Sequence, residues 1–87
     1  MRVLVVEDEI RLAATLQDLL ELNGYTADVC HDGEIGLDNA LSSIYDVILL
    51  DVMLPKLDGF TVLRRLRAEG NSTPVLMLTA KSETSDK

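Results

Sequence analysis

The residues that could do chemistry in this chain are acids. Glu7, Asp8 and Glu9 follow directly on the aliphatic run Val3–Val6, and Asp51 follows directly on the aliphatic run Val47–Leu50. Each run reads as a strand buried on both faces. In open sheets of alternating strands and helices, ligands bind beyond the carboxyl ends of the strands, where strand order reverses. In a 2-1-3-4-5 order the first and third strands are neighbours across that point, about 4.8 Å apart. Asp8 and Asp51 would then share one small pocket, with Glu7 at its edge. Carboxylates that close repel, so either one takes up a proton or a cation neutralises the site. A hard, oxygen-rich pocket suits Mg2+, which takes one or two protein carboxylates and keeps several waters. It also prepares an aspartate to attack a phosphoryl group, because carboxylates form aspartyl-phosphates. Thr79 ends the fourth strand, and its hydroxyl suits a turn and a hydrogen bond to a phosphoryl oxygen equally well.

Acids after strands also serve as helix N-caps, favoured by the helix dipole. Glu9 and Asp58 read best as caps, and Glu7 is open to both readings. Asp8 and Asp51 terminate buried strands and converge, which favours a site. Leu63, Leu66, Met77 and Leu78 read as core. Arg64, Arg65 and Arg67 read as a solvated helix face. Cys30, the single cysteine, reads as a small buried apolar side chain. It cannot form an intrachain disulfide, which fits a reducing compartment. With His31 it falls short of the four N/S ligands that zinc wants.

The elements that must position these acids alternate. Arg2–Val6 reads as a strand, and Ile10, Ala13, Leu16, Leu19 and Leu20 recur at near-helical spacing up to the Asn23-Gly24 stop signal. Tyr25–Cys30 reads as a second strand. Ile35, Ala40, Leu41 and Ile44 suggest a second helix, begun by Asp32 and weakened by Gly36. Asp46–Leu50 is a third strand, and Pro55 with Asp58-Gly59 marks the loop after it. Phe60, Leu63 and Leu66 would line one face of a third helix closed by Gly70, and Pro74–Leu78 is a fourth strand. The order βαβαβαβ argues for a parallel sheet with helices on both faces and right-handed crossovers.

Eighty-seven residues make one domain at most. A chain so short buries only about 60–65% of its unfolded surface, so its stability is marginal. Apolar residues at 47% and charged residues at 26% fit a globular domain. No apolar run approaches the roughly 20 residues of a membrane span, and the first is too short for a signal peptide. A net charge of −7 argues against direct nucleic-acid binding by this segment.

The segments VLVVEDE (Val3–Glu9), YDVILLDVMLPKLDGF (Tyr45–Phe60) and PVLMLTAK (Pro74–Lys81), with the Asn23-Gly24-Tyr25 turn, resemble the receiver domain of bacterial two-component response regulators. The LDVMLPKLDG stretch resembles the OmpR/PhoB-type subfamily, whose full-length members carry a C-terminal winged-helix DNA-binding domain. The resemblance implies a flavodoxin-like, doubly wound parallel sheet of order 2-1-3-4-5. It implies that Asp51 takes a phosphoryl group from a phosphohistidine on a sensor histidine kinase. Asp8 would bind Mg2+ with support from Glu7, and Met53 would offer the metal its backbone carbonyl. Thr79 would be the switch hydroxyl, with the small Ala80 leaving room for it. Pro55 and Gly59 would shape the loop, while Ile10, Arg11 and Ala14 would meet the kinase. The module would be a cytoplasmic bacterial signalling switch controlling transcription, not a turnover enzyme.

The pattern departs from the family after the fourth strand. A fourth helix, fifth strand and fifth helix, about 30 residues by typical element lengths, are expected and not present. With them go the family lysine of a Lys-Pro pair, for which Lys81 is no substitute, the aromatic switch residue and the dimerisation face. The chain is therefore expected to be a C-terminally truncated receiver. Its fourth strand would be an open edge that invites self-association or domain exchange. Rival functions fit less well. A haloacid-dehalogenase-type phosphatase needs an acid where Met53 stands. A flavin carrier needs a phosphate loop where Glu7-Asp8-Glu9 would repel phosphate. A receiver-like interaction module that is never phosphorylated stays open, because the family lysine is missing.

Overall fold

The computed structural model describes residues 1–78. The elements are β1 (Arg2–Val6), α1 (Ile10–Leu22), β2 (Thr26–Cys30), α2 (Gly33–Ala40), β3 (Val47–Asp51), α3 (Gly59–Ala68) and β4 (Val75–Leu78). All strand pairs are parallel, and the sheet order is β2-β1-β3-β4. Thr79, Ala80 and Lys81 lie outside the described residues.

The centre of the sheet follows from the aliphatic runs. Val3, Leu4, Val5 and Val6 are all buried, so β1 is covered on both faces. Leu4, Val6, Ile48 and Leu50 join Val62 and Leu66 of α3, Ala40 of α2 and Tyr45 in one cluster. Val3 and Val5 point the other way by strand alternation, toward the face where α1 places its buried Ala13. The helices begin where acids cap them. Glu9, Asp32 and Asp58 each accept a backbone N–H three residues on, from Leu12, Ile35 and Thr61, all at 2.9 Å.

The structure shifts several boundaries. Tyr25 belongs to the turn before β2, its N–H donating to the Leu20 carbonyl at 3.0 Å. Asp51 is the last residue of β3, not the first after it. The second helix ends at Ala40, because Ser42 donates to the Asn39 carbonyl and Ser43 turns to φ 64°. Ile44 therefore lies beyond the helix and is exposed, as is Ile35. The inner face of α3 carries Val62 and Leu66, while Phe60 is 56% exposed and Leu63 is only partly buried. The reason is at Gly59. A Cβ there would overlap the Asp51 carbonyl oxygen and stand 2.9 Å from Val52 Cα. That backbone approach sets the rotation of the helix. Met77 and Leu78, expected as core, are half-buried, because β4 is the sheet edge among the described residues.

Candidate acidic functional site

Register brings the acids together. Val6 of β1 pairs with Leu50 of β3, so the next residues, Glu7 and Asp51, emerge side by side. Carboxylate oxygens of Glu7, Asp8 and Asp51 all lie within 4.8 Å of one another. Glu7 and Asp51 are buried and Asp8 is exposed. Among the described residues the ion pair found joins Arg2 and Asp28, so none of the three acids is neutralised by a basic side chain.

Two of the three acids are held by backbone. The Glu9 N–H donates to Glu7 Oε2 at 2.9 Å, and the Met53 N–H reaches Asp51 Oδ1 at 3.3 Å. The Glu7 N–H donates to the Cys30 carbonyl at 3.0 Å, which ties the β1–α1 loop to the end of β2. Burial pushes the Glu7 carboxyl above its usual range, against the Glu9 hydrogen bond, and the charges of Asp51 and Asp8 push the same way. An acid-only cluster with two of its three carboxylates buried and no basic partner among the described residues fits a hard divalent ion. The donors are all oxygens, as Mg2+ prefers. Such an ion would relieve the repulsion that lifts Glu7.

The cluster opens into a cleft of about 960 Å3. Asp8, Asp51 and Met53 line it together with Leu12, Phe60 and Arg64. Glu9 and Asp58 also border it but are committed as helix caps. The cleft residues Leu12, Phe60, Thr61 and Arg64 had no signal of their own in the sequence, since each looks like an ordinary helix residue. His31 lies outside the cluster of converging acids. Its Nδ1 lies 3.0 Å from the Glu7 carbonyl, which only accepts, so the ring donates there. Cys30 is buried as expected, and burial pushes its thiol up. Ile10, Arg11 and Ala14 are exposed on α1, which also carries the cleft residue Leu12.

A family model for the response regulator receiver domain matches residues 3–87. The chain belongs to the response regulator receiver domain family. Among curated relatives, the transcriptional regulatory protein DltR of Streptococcus agalactiae is 52% identical over 87 residues, covering 100% of this chain and 39% of its own length. The chain thus spans about two fifths of that relative. Among solved structures, the Francisella response regulator 1452 receiver domain superposes with a TM-score of 0.88 at 37% identity, covering 95% of this chain and 69% of that one. The receiver domain of the sensor histidine kinase PA1611 of Pseudomonas aeruginosa, with magnesium in its active-site cleft, gives a TM-score of 0.88 at 33% identity, covering 98% and 71%. The flavodoxin-like receiver fold is therefore established for this chain. The observed order β2-β1-β3-β4 is the expected one as far as it runs.

Proposed function

We propose that this receiver domain takes a phosphoryl group onto Asp51 from a phosphohistidine of a sensor histidine kinase and thereby switches the transcriptional output of a longer protein. The observation that carries the reading is the unneutralised convergence of the buried Glu7 and Asp51 with the exposed Asp8 at the carboxyl ends of β1 and β3. An oxygen of Asp51 attacks phosphorus, the P–N bond to the donor imidazole breaks, and the imidazole leaves with the electron pair and takes up a proton. The backbone N–H of Met53 holds the other Asp51 oxygen, which orients the attacking one. Glu7, Asp8, Asp51 and the Met53 carbonyl are the groups that would hold Mg2+. Bound there, the ion supplies charge neutralisation for the phosphoryl oxygens. Thr79 and Ala80, outside the described residues, take the switch roles in this reading.

The domain acts as a cytoplasmic switch and not as a turnover enzyme. The −7 net charge supports binding to a protein and not to nucleic acid, and no helix among the described residues is long and apolar enough to cross a membrane. The exposed Ile10, Arg11 and Ala14 of α1 support a kinase contact. Leu76, 58% exposed on the edge strand β4, supports self-association or strand exchange. Intact-mass spectrometry after incubation with acetyl phosphate tests the chemistry. One added phosphoryl group is expected with Mg2+, and none with chelator or in Asp51→Asn. A folded chain that stays unmodified would favour a receiver-like interaction module.

A further inference from the structure

The turn between β2 and α2 touches both loops that carry the acids. On one side the Cys30 carbonyl accepts the Glu7 N–H, and the His31 ring donates to the Glu7 carbonyl, both at 3.0 Å. On the other side the Gly33 N–H donates to the Pro55 carbonyl at 3.2 Å. That carbonyl also accepts the Leu57 N–H at 2.7 Å, across Lys56 at φ 71°. The loop 52–58 is closed at its base by the Gly59 N–H on the Val52 carbonyl, at 2.9 Å. Gly33 therefore pins the tip of a loop whose base is Asp51 and whose first turn holds Met53.

Only a glycine allows this contact. A Cβ on Gly33 would overlap the Leu57 carbonyl oxygen and stand 2.7 Å from the carbonyl carbon and 2.8 Å from Leu57 Cβ. These are mostly backbone atoms, so the loop itself would have to move. We propose that Gly33 is a positioning residue for the acidic site: through Pro55 it sets where the 52–58 loop, and with it Met53, stands relative to Glu7, Asp8 and Asp51. This deepens the reading of that pocket as a divalent-metal phosphoacceptor site and rests on it.

The test uses Mn2+ as probe, counted by the electron-spin-resonance signal of the free ion. Groups that hydrogen-bond metal ligands are typically worth 10–100-fold in affinity, and Gly33 acts one contact further out through Pro55, so Gly33→Ala weakens Mn2+ binding by the lower of these, about tenfold. Gly36→Ala is the control. Its Cβ meets Val6 Cγ1 at 2.7 Å, so it strains the same helix on the core side without touching the loop. It leaves Mn2+ affinity unchanged at temperatures where both variants are folded. Equal affinity in Gly33→Ala and the parent overturns the proposal and leaves the metal reading intact. Equal weakening in both alanine variants overturns it in favour of general loss of packing. No binding by the parent overturns the proposal and the metal reading together. Coupling is reciprocal, so the parent alone gives a second measurement should Gly33→Ala fail to fold. Saturating metal raises hydrogen-exchange protection of the Gly33 amide by about the same tenfold, and unchanged protection refutes the coupling.

Discussion

Replacing Glu7 by glutamine should stabilise the metal-free domain while damaging its site. Glu7 is only 3% exposed and has no basic partner among the described residues. Its carboxylate shares a space 4.8 Å across with those of Asp8 and Asp51. At that separation two unit charges repel by about 3–4 kcal/mol at an effective dielectric of ~20, and by about 1 kcal/mol in bulk water. Asp51 is buried and Asp8 exposed, so the net cost of the Glu7 charge lies between those limits, at roughly 1–3 kcal/mol. Glutamine keeps an oxygen for the Glu9 N–H and removes the charge. For a domain of this size each kcal/mol moves the midpoint by about 4–8 °C. The thermal midpoint at neutral pH in chelator should therefore rise by roughly 4–24 °C in Glu7→Gln. Saturating Mg2+ should raise the parent and move the variant much less. Glu7's pKa is raised in the folded state, so the folded form holds the proton more tightly than the unfolded one. The contribution of Glu7 to stability is then greatest below the unfolded value of about 4.3 and is lost as pH rises through the raised value, a slope the variant lacks. A variant less stable than its parent in chelator, or one stabilised equally by Mg2+, would refute the reasoning.

Tyr45 donates to Asp28 Oδ2 at 2.7 Å, and burial first, then the Asp28 bond and charge, pushes its phenol up to about 12. That contribution is complete below about pH 10 and lost as pH rises toward 12, worth about 2–3 kcal/mol. Alkaline denaturation of Tyr45→Phe should show a correspondingly smaller loss, and an equal loss would sink the assignment. Lys56 holds φ 71° in a three-residue turn. Lys56→Gly should stabilise the fold by about 0.5–2 kcal/mol, strain relief exceeding glycine's entropy cost, and a drop in urea midpoint would contradict this. Leu66→Ala, at a fully buried site, should cost about 2–5 kcal/mol and unfold so small a domain. Phe60→Ala, at a half-exposed site, should shift the urea midpoint little, and comparable losses in both would show that the inner face of α3 has been misplaced.

The strands and the pairing of Asp8 with Asp51 were legible because their signals are local. Val3–Val6 and Val47–Leu50 are continuous aliphatic runs that only a doubly covered parallel strand satisfies, and each is followed at once by acid. Once β1 and β3 are neighbours, register alone brings Glu7 beside Asp51. The misreadings share a different cause. Phe60, Leu63 and Leu66 have helical spacing, but so do Val62 and Leu66, and hydrophobic periodicity leaves a short helix free to rotate by one residue. What decides between them is the approach of Gly59 to the backbone of Asp51 and Val52, a contact between main chains that carries no hydrophobic signal. Ile44 fails for a similar reason: two serines end α2 by bonds and a positive φ that periodicity does not register. Met77 and Leu78 look like core by composition, yet composition does not say what covers a strand, and among the described residues nothing lies outside β4. Gly33 is the sharpest case. In the sequence it is only the residue after the helix cap Asp32. In the fold its missing side chain is what lets the β2–α2 turn reach Pro55 and Leu57. Side-chain chemistry could be read residue by residue along the chain, while the contacts that aim it are made by backbone and become visible only when the loops are placed.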